Sequence, residues 1–284
     1  MAKSPTHLAV PTLRQKHLKN GSNRLMTAVQ QKDAKKVALV TGAGSRLGRA
    51  IALELAKSGW DIVVHYGTSG ADAHETVAKI QALGRRALAL QCDLDDAVAT
   101  GALVRRAITG LGPLTCLVNN ASRFEFDSAA DFSAAVLERH MRTNLTAPIL
   151  LAQALHAATP AGSQAVVINL LDQKLFNMNP DFLSYTLSKA ALQCATTMLA
   201  QALAPTVRVV GVAPGITLVS GDQSAAGFAK AHSATPLGRS STPSDIAAAV
   251  SYLAISNAIT GTTLVVDGGQ HLMALPRDVM FLAS

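Results

Sequence analysis

Short apolar runs alternate with longer amphipathic segments along most of the chain. The runs are rich in Val, Ile, Leu and Ala and have the length of strands that are buried in a parallel sheet. The segments between them carry apolar residues at helical spacing. Because each strand-helix-strand unit crosses over in the right-handed sense, this alternation predicts a doubly wound (Rossmann) α/β domain over residues 36–284, with about seven parallel strands and helices on both faces.

Boundaries follow from the ends of the runs and from Gly, Pro and capping residues. The predicted strands are 37–41, 61–66, 87–91, 116–118, 165–170, 207–212 and 263–266. The predicted helices are 47–58, 71–83, 97–109, 129–158, 185–204 and 243–255. Pro243 opens the last helix, with Ser241 or Thr242 as its cap. Residues 216–242 are rich in Ser, Ala and Gly and are predicted to form a mobile lid.

The net charge of +7 comes from the beginning of the chain. Residues 1–36 hold eight of the 25 Lys and Arg residues but only one of the 18 acidic residues, so the remainder is electrically neutral. A neutral body gives no indication of a nucleic-acid partner. Residues 1–35 are polar and weakly periodic, and we predict a basic, disordered extension. Met26 is predicted to be either an alternative start or the true start, and the extension lacks the apolar centre of a secretory signal.

Cysteine and histidine usage argues against disulfides and metal ions. Cys92, Cys116 and Cys194 are widely spaced, so we predict buried, reduced thiols and a cytoplasmic protein. The eight His residues show no metal-ligand spacing, and no metal is predicted. The charge-free stretch 143–171 contains two prolines and several polar residues, so no membrane span is predicted.

The candidate chemistry centres on Tyr185 and Lys189. Residues four apart share one helix face, so the phenol and the ammonium can point into one cleft. A nearby cation favours the phenolate, so we expect Lys189 to lower the pKa of Tyr185 toward the range of a general acid. Asp172 follows the apolar run 165–171 and is placed to reach the same cleft.

A second candidate site follows the first predicted strand. Gly42, Gly44 and Gly48 lie in the turn that leads into the first helix. Glycines allow close approach of a ligand, and a helix N-terminus offers unpaired N–H groups and a positive dipole end. The turn therefore predicts a site for the phosphates of a dinucleotide.

The motifs taken together resemble the short-chain dehydrogenases/reductases over about residues 36–272. They are TGAGSRLG at 41–48, NNAS at 119–122, Asn144, Tyr185-x-x-x-Lys189, Pro214-Gly215 and VDGG at 266–269. The resemblance implies a nicotinamide cofactor and a homotetramer. It also implies that Asn144 kinks its helix and holds a water on a proton relay to Lys189.

The resemblance also implies a set of cofactor-binding positions, with Asp93 facing the adenine and Pro214-Gly215-Ile216-Thr217 against the nicotinamide. The implied cofactor residues are Gly42, Arg46, Leu47, His65, Tyr66, Thr68, Ser69, Asp93, Leu94, Asn120, Ala121, Ser122, Lys189, Pro214, Gly215 and Thr217. NAD-binding chains usually carry an acid near the end of the second strand, to hold the ribose 2′-hydroxyl. Here that end reads HYGTS, which favours NADP(H).

Two departures from the usual family pattern resemble the pteridine reductase branch. Arg46 replaces the middle glycine of the turn, and Asp172 replaces the usual serine thirteen residues before Tyr185. In that branch the arginine reaches the cofactor phosphates and the substrate. The residues matching Ser122 and Phe124 hydrogen-bond and stack on a pterin. The resemblance therefore implies that Arg46, Ser122, Phe124, Asp172 and Tyr185 bind the substrate.

These observations predict an NADPH-dependent enzyme that reduces a dihydropterin or dihydrofolate to the tetrahydro form. Asp172, Tyr185, Lys189 and Asn144 are its predicted catalytic residues. The first alternative is a carbonyl or 3-oxoacyl reductase of the same family. The second is a non-catalytic NADP(H)-binding regulator. The sequence leaves open which pterin or folate is preferred.

Overall fold

A computed structural model describes residues 36–219 and 223–282. Its centre is a seven-stranded parallel sheet in the order β3-β2-β1-β4-β5-β6-β7, which confirms the predicted Rossmann-like α/β fold. The strands are β1 Val37–Val40, β2 Asp61–Tyr66, β3 Ala87–Gln91, β4 Cys116–Asn119, β5 Ala165–Leu170, β6 Val207–Pro214 and β7 Thr263–Val266.

Helices connect the strands and cover both faces of the sheet. They are α1 Arg46–Lys57, α2 Gly70–Ala82, α3 Ala97–Leu111, α4 Ala134–Met141, α5 Ala147–Ala158, α6 Leu183–Ala202, α7 Ala225–Ser233, α8 Pro243–Ile255 and α9 Val279–Leu282. Short 3-10 helices cover Gln173–Phe176 and Gln270–Leu272. None of the helices within the described ranges is long and apolar enough to cross a membrane.

The core is divided between the two faces of the sheet. Ile51 and Ile246 pack on one face of the sheet, against the side chains of β1 and β2 that point to that face. Leu103 and Leu151 pack on the other. Strands β1 and β5 are buried throughout, which explains why they read as continuous apolar runs without alternation.

The predicted helix 129–158 is in fact three segments. Its start is wrong, because Asp131 accepts hydrogen bonds from the backbone and hydroxyl of Ser128 and so stabilises a turn where the helix was expected. The helix begins at Ala134, and a π-helical segment, Arg142–Thr146, interrupts it before α5. Asn144 lies within that segment, which confirms the predicted irregularity at this residue.

The predicted cap of α8 is confirmed, whereas the predicted burial of the cysteines is confirmed for two of the three. Thr242 caps α8 in a capping box with Asp245, as expected from its position before Pro243. Cys92 and Cys116 are buried, but the prediction for Cys194 was wrong, because its side chain is exposed on α6. The extension 1–35 with Met26, and residues 220–222 of the predicted lid, lie outside the described residues.

Candidate active site

A cleft of about 700 Å³ opens where the carboxyl ends of the central strands meet the helices that follow them. This is the edge at which doubly wound sheets bind their ligands. Most of the predicted site residues line it, although they come from widely separated parts of the chain. They are Gly42, Arg46, Leu47, Asn120, Ala121, Ser122, Phe124, Asp172, Tyr185, Lys189, Pro214, Gly215 and Thr217.

The Tyr185 hydroxyl donates a hydrogen bond of 2.8 Å to Oδ2 of Asp172. The other carboxylate oxygen, Oδ1, accepts from the backbone N–H of Lys174, also at 2.8 Å. Lys189 lies beneath the phenol, with its Nζ 5.8 Å from the centre of the ring. That ammonium donates to the carbonyl of Leu170 at the end of β5. Asp172, thirteen residues before Tyr185, and Lys189, four residues after it, thus meet Tyr185 in one cluster.

The electrostatics of this cluster correct one expectation. Lys189 was expected to lower the pKa of Tyr185, but burial and the adjacent Asp172 carboxylate raise it well above its usual value. Burial likewise raises the pKa of Asp172, since the hydrogen bonds from Lys174 and Tyr185 only partly offset its desolvation. Burial lowers the pKa of Lys189 to about 8. Tyr185 and Asp172 therefore retain protons more strongly than they would in water.

A distant carboxylate fixes the start of the helix that carries Tyr185. The N-cap residue of α6, Phe182, has no capping side chain and a positive φ of 54°. The buried Asp127 replaces the missing cap by accepting hydrogen bonds from the backbone N–H and the hydroxyl of Ser184. Because Asp127 belongs to the loop after β4, that loop and Tyr185 are held together.

Asn144 braces the site from behind the cleft. Its amide binds the backbone of Arg123 twice, accepting from the N–H at 2.8 Å and donating to the carbonyl at 2.9 Å. It also donates to the hydroxyl of Ser188 on α6. The Ser122 hydroxyl lies 3.3 Å from the Asn144 oxygen. This side chain therefore joins the loop after β4 to α6, and its part in a proton relay stays a prediction.

The glycine turn is packed too tightly for side chains. A Cβ on Gly48 would lie 2.2 Å from the carbonyl oxygen of Gly42. The Asn120 amide closes the turn by donating to the carbonyls of Thr41 and Gly42. Arg46 adopts a φ of 49°, the left-handed conformation that a glycine would take at no steric cost.

His65 supports this turn and lies outside the wall of the cleft, so its contact with a cofactor stays a prediction. The ring is buried, its Nδ1 accepts from the N–H of Gly42, and its Nε2 donates to the carbonyl of Cys92. Burial lowers the pKa of His65 to about 4, so the ring is neutral and carries no charge toward a phosphate.

Five other predicted cofactor residues also lie outside the wall of the cleft. They are Tyr66, Thr68, Ser69, Asp93 and Leu94, at the ends of β2 and β3. Thr68, Ser69 and Asp93 are exposed, whereas Leu94 is buried. Their contacts with a cofactor stay predictions.

The start of α1 is suited to the phosphates of a dinucleotide. Ser45, its N-cap residue, makes no capping hydrogen bond through its side chain, and the first turn contains no acidic residue. The exposed Arg46 adds a cation, and its guanidinium donates to the carbonyl of Val219. Backbone donors, a helix dipole and a cation thus converge at the start of α1, whose first turn contains no acidic residue.

An aromatic cluster borders the cleft beside Tyr185. Phe124 is 42% exposed. It stacks on Phe182 with ring centres 4.3 Å apart and contacts Tyr185 edge-on at 4.7 Å. The ring of Phe281 in α9 stacks on Phe182 as well. A planar ring that enters the cleft would therefore meet an aromatic surface next to the phenol.

Several residues of the cleft were not anticipated from the sequence. Lys174, Gln270 and Asp278 line it, and Gln270 accepts a hydrogen bond from the backbone of Ile216. The position of Lys174, two residues after Asp172, was an available signal. Asp278 gave none, because it lies outside every motif and reaches the cleft only through tertiary structure.

Comparison with known proteins identifies the family. The sequence model of the short chain dehydrogenase family matches residues 36–226. The crystal structure of FolM alternative dihydrofolate reductase 1 from Brucella canis, complexed with NADP, superposes with a TM-score of 0.82. It is 38% identical, and the alignment covers 86% of this chain and 97% of that one.

Curated relatives extend the comparison to other activities. An uncharacterized oxidoreductase of Methylorubrum extorquens is 36% identical over 82% of this chain and 97% of its own length. The 2-dehydro-3-deoxy-D-gluconate 5-dehydrogenase of Escherichia coli is 33% identical over 82% of this chain and 94% of its own. With its glycine turn and its Tyr185–Lys189 pair in one cleft, this chain belongs to the short-chain dehydrogenase/reductase family and is an NAD(P)-dependent oxidoreductase.

Proposed function

We propose that this protein reduces a dihydropterin or dihydrofolate to its tetrahydro form with NADPH. The hydrogen bond of 2.8 Å between Tyr185 and Asp172 is the observation that carries the proposal. It places an acid with a raised pKa directly behind the tyrosine, in a cleft bordered by aromatic rings.

The pair is suited to protonating a ring nitrogen. The reduced nicotinamide supplies a hydride when it is bound. Because burial raises its pKa, Asp172 can hold a proton nearer neutral pH than an ordinary carboxyl. The Tyr185 hydroxyl can give its proton to the substrate and regain one from Asp172, to which it is hydrogen-bonded.

The same pair fits a ketone less well. A carbonyl that accepts a hydride develops negative charge on its oxygen, and an ionised carboxylate beside it would repel that charge. Both carboxylate oxygens of Asp172 accept hydrogen bonds, from Lys174 and Tyr185, so in this arrangement neither oxygen donates to a substrate oxygen as a serine hydroxyl would. Reduction at a C=N bond uses a proton at nitrogen, which the pair can deliver.

The preference for NADP(H) rests on charge. Arg46 lies at the start of α1, and β2 ends in Tyr66 with no acidic residue beside it. We propose that Arg46, Tyr66, Thr68 and Ser69 receive the 2′-phosphate. The similar Brucella canis reductase was crystallised with NADP, which supports this choice.

The substrate would lie between the nicotinamide and the aromatic cluster. We propose that Phe124 stacks on the pterin, that Ser122 hydrogen-bonds it and that Arg46 contacts both ligands. All three residues line the cleft, and the Phe124 ring exposes enough surface for a planar substrate ring to stack on it. The homotetramer and the cytoplasmic location remain predictions; the exposed Leu187 and Met198 on α6 are consistent with assembly.

The competing candidate is a carbonyl reductase. The Escherichia coli relative, a 2-dehydro-3-deoxy-D-gluconate 5-dehydrogenase, favours this alternative because its name indicates a sugar acid substrate. Asp172 distinguishes the two candidates, since it is the group that suits a nitrogen and disfavours an oxyanion.

Turnover of NADPH tests the proposal directly. Oxidation of NADPH would be followed by its absorbance with 7,8-dihydrobiopterin, dihydrofolate, a 3-oxoacyl thioester and simple ketones. We expect turnover of the pterin or the folate, reduced about a hundredfold or more in Tyr185→Phe. Tyr252→Phe is the matched control, because Tyr252 is 57% exposed on α8 and lines no part of the cleft. Turnover of ketones alone would overturn the proposal.

A further inference from the structure

The C-terminal segment, residues 277–280, returns to the active site although it belongs to none of the sequence motifs named above. Asp278, Val279 and Met280 all line the cleft that contains Asp172 and Tyr185. The segment thus supplies a wall of the site from the far end of the chain, about a hundred residues after the catalytic cluster.

A network of charged groups holds this segment in place. The buried carboxylate of Asp181 accepts from the backbone N–H of Asp278 at 2.7 Å and from Nε of Arg277 at 2.9 Å. Asp278 also pairs with Lys174, whose Nζ lies 3.3 Å from Oδ2. The second oxygen of Asp278, Oδ1, accepts from the N–H of Met280 and so opens the short helix α9.

Lys174 joins this network to the catalytic pair. Its side chain is only 3% exposed, and its Nζ donates to the carbonyl of Asp181 as well as to Asp278. Its backbone N–H donates to Oδ1 of Asp172, and the other carboxylate oxygen, Oδ2, accepts a hydrogen bond from the Tyr185 hydroxyl. One residue therefore contacts the C-terminal segment with its side chain and the catalytic carboxylate with its backbone.

We propose that Lys174 and Asp278 are positioning residues of the active site. Their ion pair holds residues 277–280 against the cleft as its substrate-side wall and fixes the 3-10 helix that orients Asp172. A buried ammonium is costly without an anionic partner, and Asp278 supplies that partner to Lys174. The effect on catalysis rests on the proposed reduction of a dihydropterin. The anchoring of residues 277–280 by the ion pair does not depend on it.

The charge of Asp278 also acts on the catalytic groups. Among the described residues, the titratable groups that act on Asp172 are Tyr185 and Lys189 from α6 and Asp278 from the C-terminal segment, whereas Lys174 contributes its backbone N–H. The negative charge of Asp278 raises the pKa of Asp172 and that of Tyr185, in addition to the larger effect of burial. Removal of that charge should lower both pKa values.

Two variants and a control test the inference. Asp278→Asn removes the charge while keeping the shape, and Lys174→Met removes the cation while keeping most of the apolar stem. Glu138→Gln is the control, because it removes an exposed carboxylate that pairs with Arg142 and lies outside the cleft. We expect both variants to raise KM for 7,8-dihydrobiopterin about fivefold or more. Asp278→Asn should also move the alkaline limb of the kcat/KM profile to lower pH.

Hydrogen exchange of the C-terminal peptide provides a readout that does not depend on turnover. We expect amides 278–280 to exchange about tenfold faster in Lys174→Met than in the wild type or in Glu138→Gln. Unchanged KM, pH profile and exchange in both variants would overturn the inference. If the wild-type enzyme reduces no dihydropterin, the proposed function fails, and exchange alone decides whether the ion pair holds the segment.

Discussion

Replacement of Lys189 by Met should stabilise the protein while it removes activity. Lys189 is 3% exposed, and no carboxylate forms a salt bridge with it among the described residues. Within the described residues its Nζ donates to the carbonyl of Leu170, at 2.7 Å. A Met side chain fills similar space without a charge, so this variant removes the cost of a buried ammonium.

The magnitude follows from the change in proton affinity. Burial lowers the pKa of Lys189 from 10.5 to about 8. At about 1.4 kcal/mol per pH unit, the charged form is disfavoured in the folded protein by about 3 kcal/mol at neutral pH. The carbonyl of Leu170 loses its donor in the variant, at a cost of about 1 kcal/mol. We therefore expect a net gain of about 2 kcal/mol in the free energy of unfolding.

The difference in unfolding free energy between Lys189→Met and the wild type should depend on pH. Between pH 8 and 10.5 the unfolded chain binds more protons at Lys189 than the folded protein does, so wild-type stability from this group rises with pH in that window. The advantage of the variant should be complete below pH 8 and should disappear toward pH 10.5.

Urea-induced unfolding of wild type and Lys189→Met, without cofactor, at pH 7 and at pH 9.5 measures both effects. Lys79→Met is the matched control, because Lys79 is an exposed residue of α2 and should change stability by less than about 0.5 kcal/mol. NADPH oxidation should fall about a hundredfold or more in Lys189→Met. A variant that is less stable than wild type at pH 7, or whose advantage does not depend on pH, would refute the reasoning.

Two further substitutions examine the turn and the start of α6. Arg46→Gly removes the strain of a left-handed backbone conformation, so the free energy of unfolding should change by less than about 1 kcal/mol. KM for NADPH should rise about tenfold, because the guanidinium is lost. An unchanged KM would refute a role in cofactor binding. Asp127→Ala removes the carboxylate that accepts hydrogen bonds from Ser184 at the start of α6. It should lower the free energy of unfolding in urea by about 2 kcal/mol and should also lower kcat. Unchanged stability would contradict the capping role.

The elements that could be predicted from the sequence carry their own boundary signals. The bounds of α8 are as predicted, because Thr242 and Pro243 fix its start through local geometry. Strand β7 is also as predicted. The start of α6 was placed two residues late, since its cap is the distant Asp127, and a contact between residues so far apart leaves no local pattern.

The chemistry of the site could be predicted only in part. The spacing of Asp172, Tyr185 and Lys189 indicated that they would meet, because strand ends and helix faces impose simple geometry. The direction of the Tyr185 pKa could not be predicted, since it depends on burial and on the hydrogen bond to Asp172. The burial of His65 beneath the glycine turn could not be predicted either, because burial is a tertiary property.

We expect Asp172 to make the enzyme selective for a ring nitrogen over a ketone oxygen. The most direct measurement is the ratio of kcat/KM for 7,8-dihydrobiopterin to kcat/KM for a ketone panel, in the wild type and in Asp172→Ser. Since a serine hydroxyl can donate to an oxyanion but cannot return a proton to Tyr185 as a carboxylic acid can, we predict that the ratio falls about a hundredfold or more. An unchanged ratio, or a wild-type enzyme that prefers ketones, would contradict this role of Asp172.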